Sequence, residues 1–256
     1  YGRITVLING DEEISSPGSR ALLTALGSEH DVVFSCESTS VASDRLSLAT
    51  SGIAAVTLTV KGRASHAGSA PQLGVNALYE LSHQMLQMRD LSRPQQGLKM
   101  NWTVANAGTN RNVIPADAVA YADVRVWSVA DYDGIEAEVR ERAKKQLLPE
   151  AKVAVDFVRR RPPLEPTDAA KALAQRAAAL YRNELGRDLT VSSIAEGGGT
   201  DAAFASLKAK GPVIERFGFA GFGAHSNDAE YIAISSIEPR LYLLVRMVME
   251  ASARCD

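Results

Sequence analysis

The sequence predicts an α/β protein in which one domain of alternating strands and helices is interrupted by an inserted ferredoxin-like βαββαβ domain. Two observations carry that expectation. Residues 50–162 read in order as strand, helix, strand, strand, helix, strand, which is the order of a ferredoxin-like unit. Residues 1–49 and 163–256 show strand–helix alternation of their own. Between them Pro162-Pro163 marks an exit, because paired prolines disfavour continued regular structure.

Each element has a local reason. The run Ile4-Thr5-Val6-Leu7-Ile8, within 3–9, reads as a buried strand with Asn9-Gly10 as its sharp exit. A helix is expected over about 17–27, with Ser16 as cap and Pro17 at its first position. Val32-Val33-Phe34 is a second short strand running into Cys36, read as a small core hydrophobe, and Glu37. In the second segment, strand 53–61 alternates Val56, Leu58 and Val60 with Thr57 and Thr59. A helix over 74–89 carries Leu78, Leu81, Met85 and Met88 on one face. Strands 98–106 and 117–127 flank a Gly- and Asn-rich loop, then come a helix over 131–147 (Ile135, Val139, Ala143) and a strand over 152–158. The third segment holds a helix over 168–185 (Leu173, Ala177, Leu180, Tyr181) and a strand near 189–195. A short helix from 201, a strand near 212–216 and a final helix over 236–252 with Ile237, Leu241, Leu244, Val245 and Val248 on one stripe complete it.

Composition bounds the function classes. At 256 residues the chain can form one large or two ordinary domains, and 46% hydrophobic with 23% charged residues is the balance of a globular protein. A net charge of -2 gives no sign of a nucleic-acid or anionic-membrane surface. No apolar run approaches the ~20 residues of a membrane span. Two cysteines, Cys36 and Cys255, are too few to report a disulfide framework.

Four constellations could carry chemistry. Asp11-Glu12-Glu13 follows the first strand, where open α/β sheets keep their crevices. Three adjacent carboxylates repel one another, and a divalent metal would relieve them; the bland alternative is a solvated turn. Glu37 follows the second strand, so parallel pairing of the two would bring these carboxylates to one edge. His225 lies in the Gly-rich stretch 221–230 at a loop–helix junction. Oxygen and imidazole donors together suit zinc, cobalt or manganese better than calcium, although a lone loop histidine is more often structural. Glu196-Gly197-Gly198-Gly199-Thr200-Asp201 lets backbone N–H groups approach a ligand, a substrate carboxylate being the better guess. Its bland alternative is a tight turn with Thr200 capping the helix. Inside the inserted segment are Ser65-His66-Ala67-Gly68, Asn112-Val113-Ile114-Pro115 and Asp123-Val124-Arg125. Asp123 and Arg125 share a strand face, which makes a surface salt bridge the plain account, yet arginine is also the usual bidentate partner of a carboxylate.

Together these stretches resemble the di-zinc exopeptidase family of glutamate carboxypeptidases, aminoacylases and succinyl-diaminopimelate desuccinylases, and within it the bacterial glutamate carboxypeptidases. The matches run in family order from Asn9-Gly10-Asp11-Glu12-Glu13 to His225-Ser226. The resemblance implies a catalytic domain over 1–49 and 163–256 and an inserted dimerisation domain over 50–162. It implies that Glu12 is the general base that activates the attacking water and returns the proton to the leaving amine. Glu13 and His225 would bind one zinc and Glu37 the other. Asn112, Arg125 and the loop of Gly198, Gly199 and Thr200 would hold the substrate's free carboxylate. His66 would reach a neighbouring subunit's site and polarise the scissile carbonyl. Implied partners are a small N-acyl amino acid or folate-like substrate and a second copy of the chain, with no nucleic acid and no membrane.

The departures are as informative. Family members carry an upstream His-x-Asp motif and a further bridging aspartate. The histidines here are His30, His66, His83 and His225, none of them in such a motif. With two zincs per complete site, only three ligands come from these residues. The expectation is therefore a C-terminal part whose N-terminal complement lies elsewhere, inactive by itself. The alternatives are a dimerisation fragment without activity of its own and an aminoacylase or aminopeptidase of the same family. Export to the periplasm or beyond is expected only by analogy.

Overall fold

The computed structural model describes residues 2–226 and 228–252. Asn227 and Cys255 lie outside the described residues. In chain order the elements begin with α1 (Arg20–Glu29), β1 (Val33–Phe34), β2 (Thr39–Ser40), β3 (Arg45–Ser47), β4 (Gly52–Lys61) and β5 (Ser65–His66). There follow α2 (Ala77–Gln87), β6 (Lys99–Ala107), β7 (Val113–Ile114), β8 (Asp117–Val126), α3 (Val129–Ala143) and β9 (Lys152–Arg161). The last are α4 (Asp168–Leu185), β10 (Thr190–Ser192), α5 (Ala202–Ser206), β11 (Val213–Ile214), β12 (Ala220–Phe222), β13 (Tyr231–Ile232) and α6 (Ile237–Ser252). They divide into two compact units, Tyr1–Ser51 with Arg161–Asp256, and Gly52–Arg160.

The Gly52–Arg160 unit carries the βαββαβ order. Its four-stranded sheet runs β6-β8-β4-β9, so the first strand lies between the third and the fourth, as in ferredoxin-like folds. β4 pairs antiparallel with β8 over its whole length, from Gly52↔Val126 to Lys61↔Asp117. Alternation does the sorting: Ala54, Val56, Leu58 and Val60 are buried while Thr57 and Thr59 take the other face. Helices α2 and α3 pack on the sheet, α2 against β4 and β8 and α3 against β8. A capping box starts α3, with Ser128 Oγ accepting from Asp131 N and the Asp131 carboxylate accepting from Ser128 N. The expected α2 face needs correction. Leu81 and Met88 are buried, but Leu78 is 42% exposed, and the inner positions also include Ala77, Glu80 and Gln84. The polar pair earns its place: Gln84 donates to Glu80 and to the carbonyls of Ala143 and Lys145, closing the end of α3.

The other unit is built from short ladders. β1 pairs with β11 in parallel, β3 with β10 in parallel, and β13-β12-β2 forms a third piece. Its core gathers Leu46, Leu48, Leu173, Ala177, Tyr181, Ile214, Phe217, Leu243 and Met247.

Four expectations fail here. No strand forms over 3–9; Ile4, Val6 and Ile8 are 52%, 81% and 90% exposed. An apolar run becomes a strand only when a neighbour offers a ladder and a cover, and no described residue does so. The expected helix over 17–27 starts later, at Arg20, and Ser16 is no cap: it lies at φ 53 and donates to Asp201. Cys36 is exposed instead of buried. The stripe on α6 is also displaced. Arg240, Leu243 and Met247 face inward, whereas Leu241 and Val245 are 47% and 57% exposed. A buried arginine with three acceptors took the inner face that apolarity alone would have given to leucine.

Candidate functional site

The acidic triplet sits in a 3-10 turn at Glu12–Ile14 that closes through two left-handed residues, Ser15 (φ 69) and Ser16 (φ 53). Its three carboxylates have separate surroundings. Asp11 accepts from Ser19 Oγ (2.6 Å), Gly18 N (2.7 Å) and Asn9 Nδ2 (3.3 Å). The Ser19 hydroxyl above all holds the Asp11 carboxyl below its usual range, and its bonds fix the turn. Glu12 meets Arg161, which is 4% exposed and donates both to the Glu12 carboxylate and to the Glu12 main-chain carbonyl. Glu13 is turned to solvent, with its Oε2 3.9 Å from His225 Nε2.

The glycine-rich loop is held at successive residues. Gly198 O accepts from Ser51 N (2.9 Å), Gly199 O accepts from Arg161, and Thr200 Oγ1 donates to Glu215 Oε2 (2.6 Å). Thr200 is therefore not the helix cap. Asp201 takes the N-cap position of α5 without a side-chain capping bond. The Asp201 carboxylate accepts instead from Ser16 Oγ and from Asn9 Nδ2 (2.6 Å), pinning the acidic turn beside the loop.

Glu37 and Glu215 follow the paired strands β1 and β11. The expected pairing of strand 3–9 is absent, yet Glu37 still feels the acidic turn. Loss of water and then the charges of Glu12, Asp201 and Glu13 push its carboxyl up, while Arg216 pulls it back. Glu215 is fully buried, and burial raises its pKa to about 7 in spite of the Thr200 hydrogen bond. Among the described residues its Oε1 makes no hydrogen bond of good geometry, although the Ser35 hydroxyl is near enough to lower the pKa somewhat. Two residues of this region, Arg216 (φ 71) and His225 (φ 66), are held in the left-handed conformation that non-glycine residues rarely adopt.

Carboxylate and imidazole are zinc's donors, and Glu13 with His225 fits one ion as a pair. Among the described residues, no group of three or more His, Cys, Asp or Glu side chains is placed to hold a metal ion.

In the Gly52–Arg160 unit, β5 and β7 form a small antiparallel arm. His66 Nδ1 accepts from Gly68 N and Ser69 N, both at 3.1 Å, which leaves the ring proton on Nε2 as an outward donor. Asn112 joins His66 here, its carbonyl accepting from Ala67 N (2.8 Å). Arg125 does not. It lies near the far end of β8, about 26 Å from Asp117 at about 3.3 Å per residue. There it makes the bidentate pair with Asp123 (2.8 and 3.0 Å).

Sequence reasoning missed Arg161 and Glu215. Arg161 was one of three arginines before a proline pair, and nothing in that run marks which one turns inward. Glu215 lies at the end of a short strand, a position with no motif.

A family description, the M20-type peptidase dimerisation domain, matches residues 48–151. The chain is 47% identical over 253 residues to carboxypeptidase G2 of Pseudomonas sp. (strain RS-16), covering 99% of this chain and 60% of that protein. It is 29% identical over 268 residues to succinyl-diaminopimelate desuccinylase of Methylobacterium sp. (strain 4-46), covering 98% and 64%. The chain thus spans less than two thirds of the length of these relatives. Among solved structures, the aminopeptidase PepT of Bacillus cereus ATCC 10987 superposes with a TM-score of 0.76 at 18% identity, covering 93% of this chain and 62% of that one. At that identity the likeness concerns the fold.

Proposed function

Because the chain belongs to the M20 peptidase family, we propose that it forms part of a zinc-dependent exopeptidase that hydrolyses N-acyl amino acids and releases C-terminal glutamate. The observation that carries this is the meeting of Glu13 and His225 at 3.9 Å beside Glu12 and the anchored Gly198–Thr200 loop. Glu13 and His225 would hold one zinc and Glu37 would serve a second, with other ligands supplied from outside this set. Zinc, when bound, supplies Lewis acidity.

The chain's own residues do the rest. Glu12 takes a proton from the attacking water and delivers it to the leaving amine. The loop at Gly198, Gly199 and Thr200 receives the substrate's free carboxylate, which restricts cleavage to a terminal residue. His66 presents Nε2–H to the developing oxyanion. The remoteness of His66 and Asn112 from Arg125 within one unit favours their acting on a second copy. The chain is then a homodimer through its βαββαβ unit, whose strand β6 lies at the edge of the sheet.

The test uses the protein at its relatives' full length. About two zinc ions per chain by elemental analysis, with glutamate released from an aroyl-glutamate, supports the proposal. Hydrolysis of N-terminal peptide bonds instead would make it an aminopeptidase, and a zinc-loaded protein that cleaves no amide would refute it.

A further inference from the structure

We propose that Arg161 is a positioning residue that sets the spacing between Glu12 and the glycine-rich loop; this rests on Glu12 being the general base. Arg161 closes β9 and is 4% exposed. One of its terminal nitrogens donates to both the Glu12 carboxylate and the Gly199 carbonyl, and the other donates to the Glu12 main-chain carbonyl. Asp201 Oδ1 lies 3.8 Å away and the Phe204 ring 5.9 Å away. A single guanidinium therefore touches the acidic turn twice and the loop once.

Stability alone is a poor reason to place an ion there. Taking a guanidinium out of water costs several kcal/mol, and a buried pair often does no better than an apolar replacement of similar size. What the planar fork offers is geometry: its N–H groups point in fixed directions and can bridge two backbone segments. Glu12 and Gly199 belong to stretches 187 positions apart in sequence, so only a tertiary contact can set their distance. A misplacement of about 1 Å in such a constellation can cost about 100-fold in rate. Arg161 is also poorly placed to bind substrate, since both of its terminal nitrogens donate to protein oxygens.

The test compares the full-length, zinc-loaded wild type with Arg161→Ala, Arg161→Lys, Glu12→Gln and the Glu12→Gln/Arg161→Ala double variant. The expected result is a loss of kcat of about 100-fold in Arg161→Ala, with KM within about threefold and zinc content unchanged. Arg161→Lys, which keeps the charge but loses the fork, should regain about tenfold. If Arg161→Ala does not fold, Arg161→Lys alone should still lose about tenfold in kcat. A rise in KM with kcat intact would make Arg161 a substrate ligand and overturn the proposal, as would an unchanged kcat. Urea unfolding of the four-member cycle is read independently of activity. Non-additive effects of the Glu12 and Arg161 changes support the contact, and additive ones overturn it. A wild type that hydrolyses no N-acyl amino acid removes Glu12's role as base, and Arg161's positioning role with it.

Discussion

Replacing Glu215 with glutamine should make the protein more stable at pH 8 and alter it little at pH 5. Glu215 is fully buried, and burial lifts its pKa from the ordinary 4.5 to about 7. A carboxyl whose pKa is raised on folding is favoured in its protonated form. The folded state therefore holds more protons than the unfolded state between about pH 4.5 and 7, and stability falls as pH rises through that window. At about 1.36 kcal/mol per pH unit, the gap from 4.5 to about 7 amounts to about 3 kcal/mol, nearly all of it lost by pH 8. Glutamine keeps an acceptor for the Thr200 hydroxyl, now at 2.6 Å from Oε2, and never ionises. Urea unfolding at pH 5 and at pH 8 measures the effect. The advantage of Glu215→Gln over wild type should grow by about 2 to 3 kcal/mol between the two. A difference independent of pH would refute the idea that this carboxyl pays a desolvation cost in the folded state.

Two further changes test packing in the same unit. A Cβ on Gly27 would stand 2.0 Å from the Ala205 carbonyl oxygen, so Gly27→Ala must push α1 away from α5. The helix-propensity gain of about 1 kcal/mol is outweighed by an overpacking cost of about 1–3 kcal/mol; a melting temperature at or above wild type would contradict this. Arg240→Ala removes a 1% exposed guanidinium that bonds Gly218 O, Asp44 and Arg216 O. Among the described residues this leaves the partly exposed Asp44 carboxylate with the Tyr181 hydroxyl alone and should cost about 3 kcal/mol in urea unfolding, and a loss under 1 kcal/mol would show the network to be dispensable.

The βαββαβ unit was legible because each strand carries its own period-two signal and each helix its own stripe. The β4 pattern of Val56, Leu58 and Val60 against Thr57 and Thr59 needs no distant information. The reading of α4 over 168–185 coincides with the helix observed, since Thr167 caps it and Gly186 ends it in the left-handed conformation. The run Ile4–Ile8 was misread for the opposite reason. Its composition specifies an interior strand, but a ladder is a property of two segments, and sequence shows only one. On α6 charge displaced the apolar stripe: Arg240 takes the inner face because Asp44 and two carbonyls on other segments supply its partners. Of the candidate site, the chemically obvious groups Glu12, Glu13, Glu37 and His225 stood out in turns and loops. Arg161 and Glu215 act through neighbours far away along the chain, and no local pattern announces them.

The two-part build of this unit has a kinetic consequence. Thr24 reaches Phe204 across 180 positions, and Tyr181 reaches Asp44 across 137, so its core cannot close until nearly the whole chain has been made. The Gly52–Arg160 unit, by contrast, is complete as soon as its last strand emerges. During synthesis it should fold first and hold the two ends of the interrupted unit near each other, shortening the loop they must close. A destabilising change in β4 or β8 would then slow the maturation of the other unit's core.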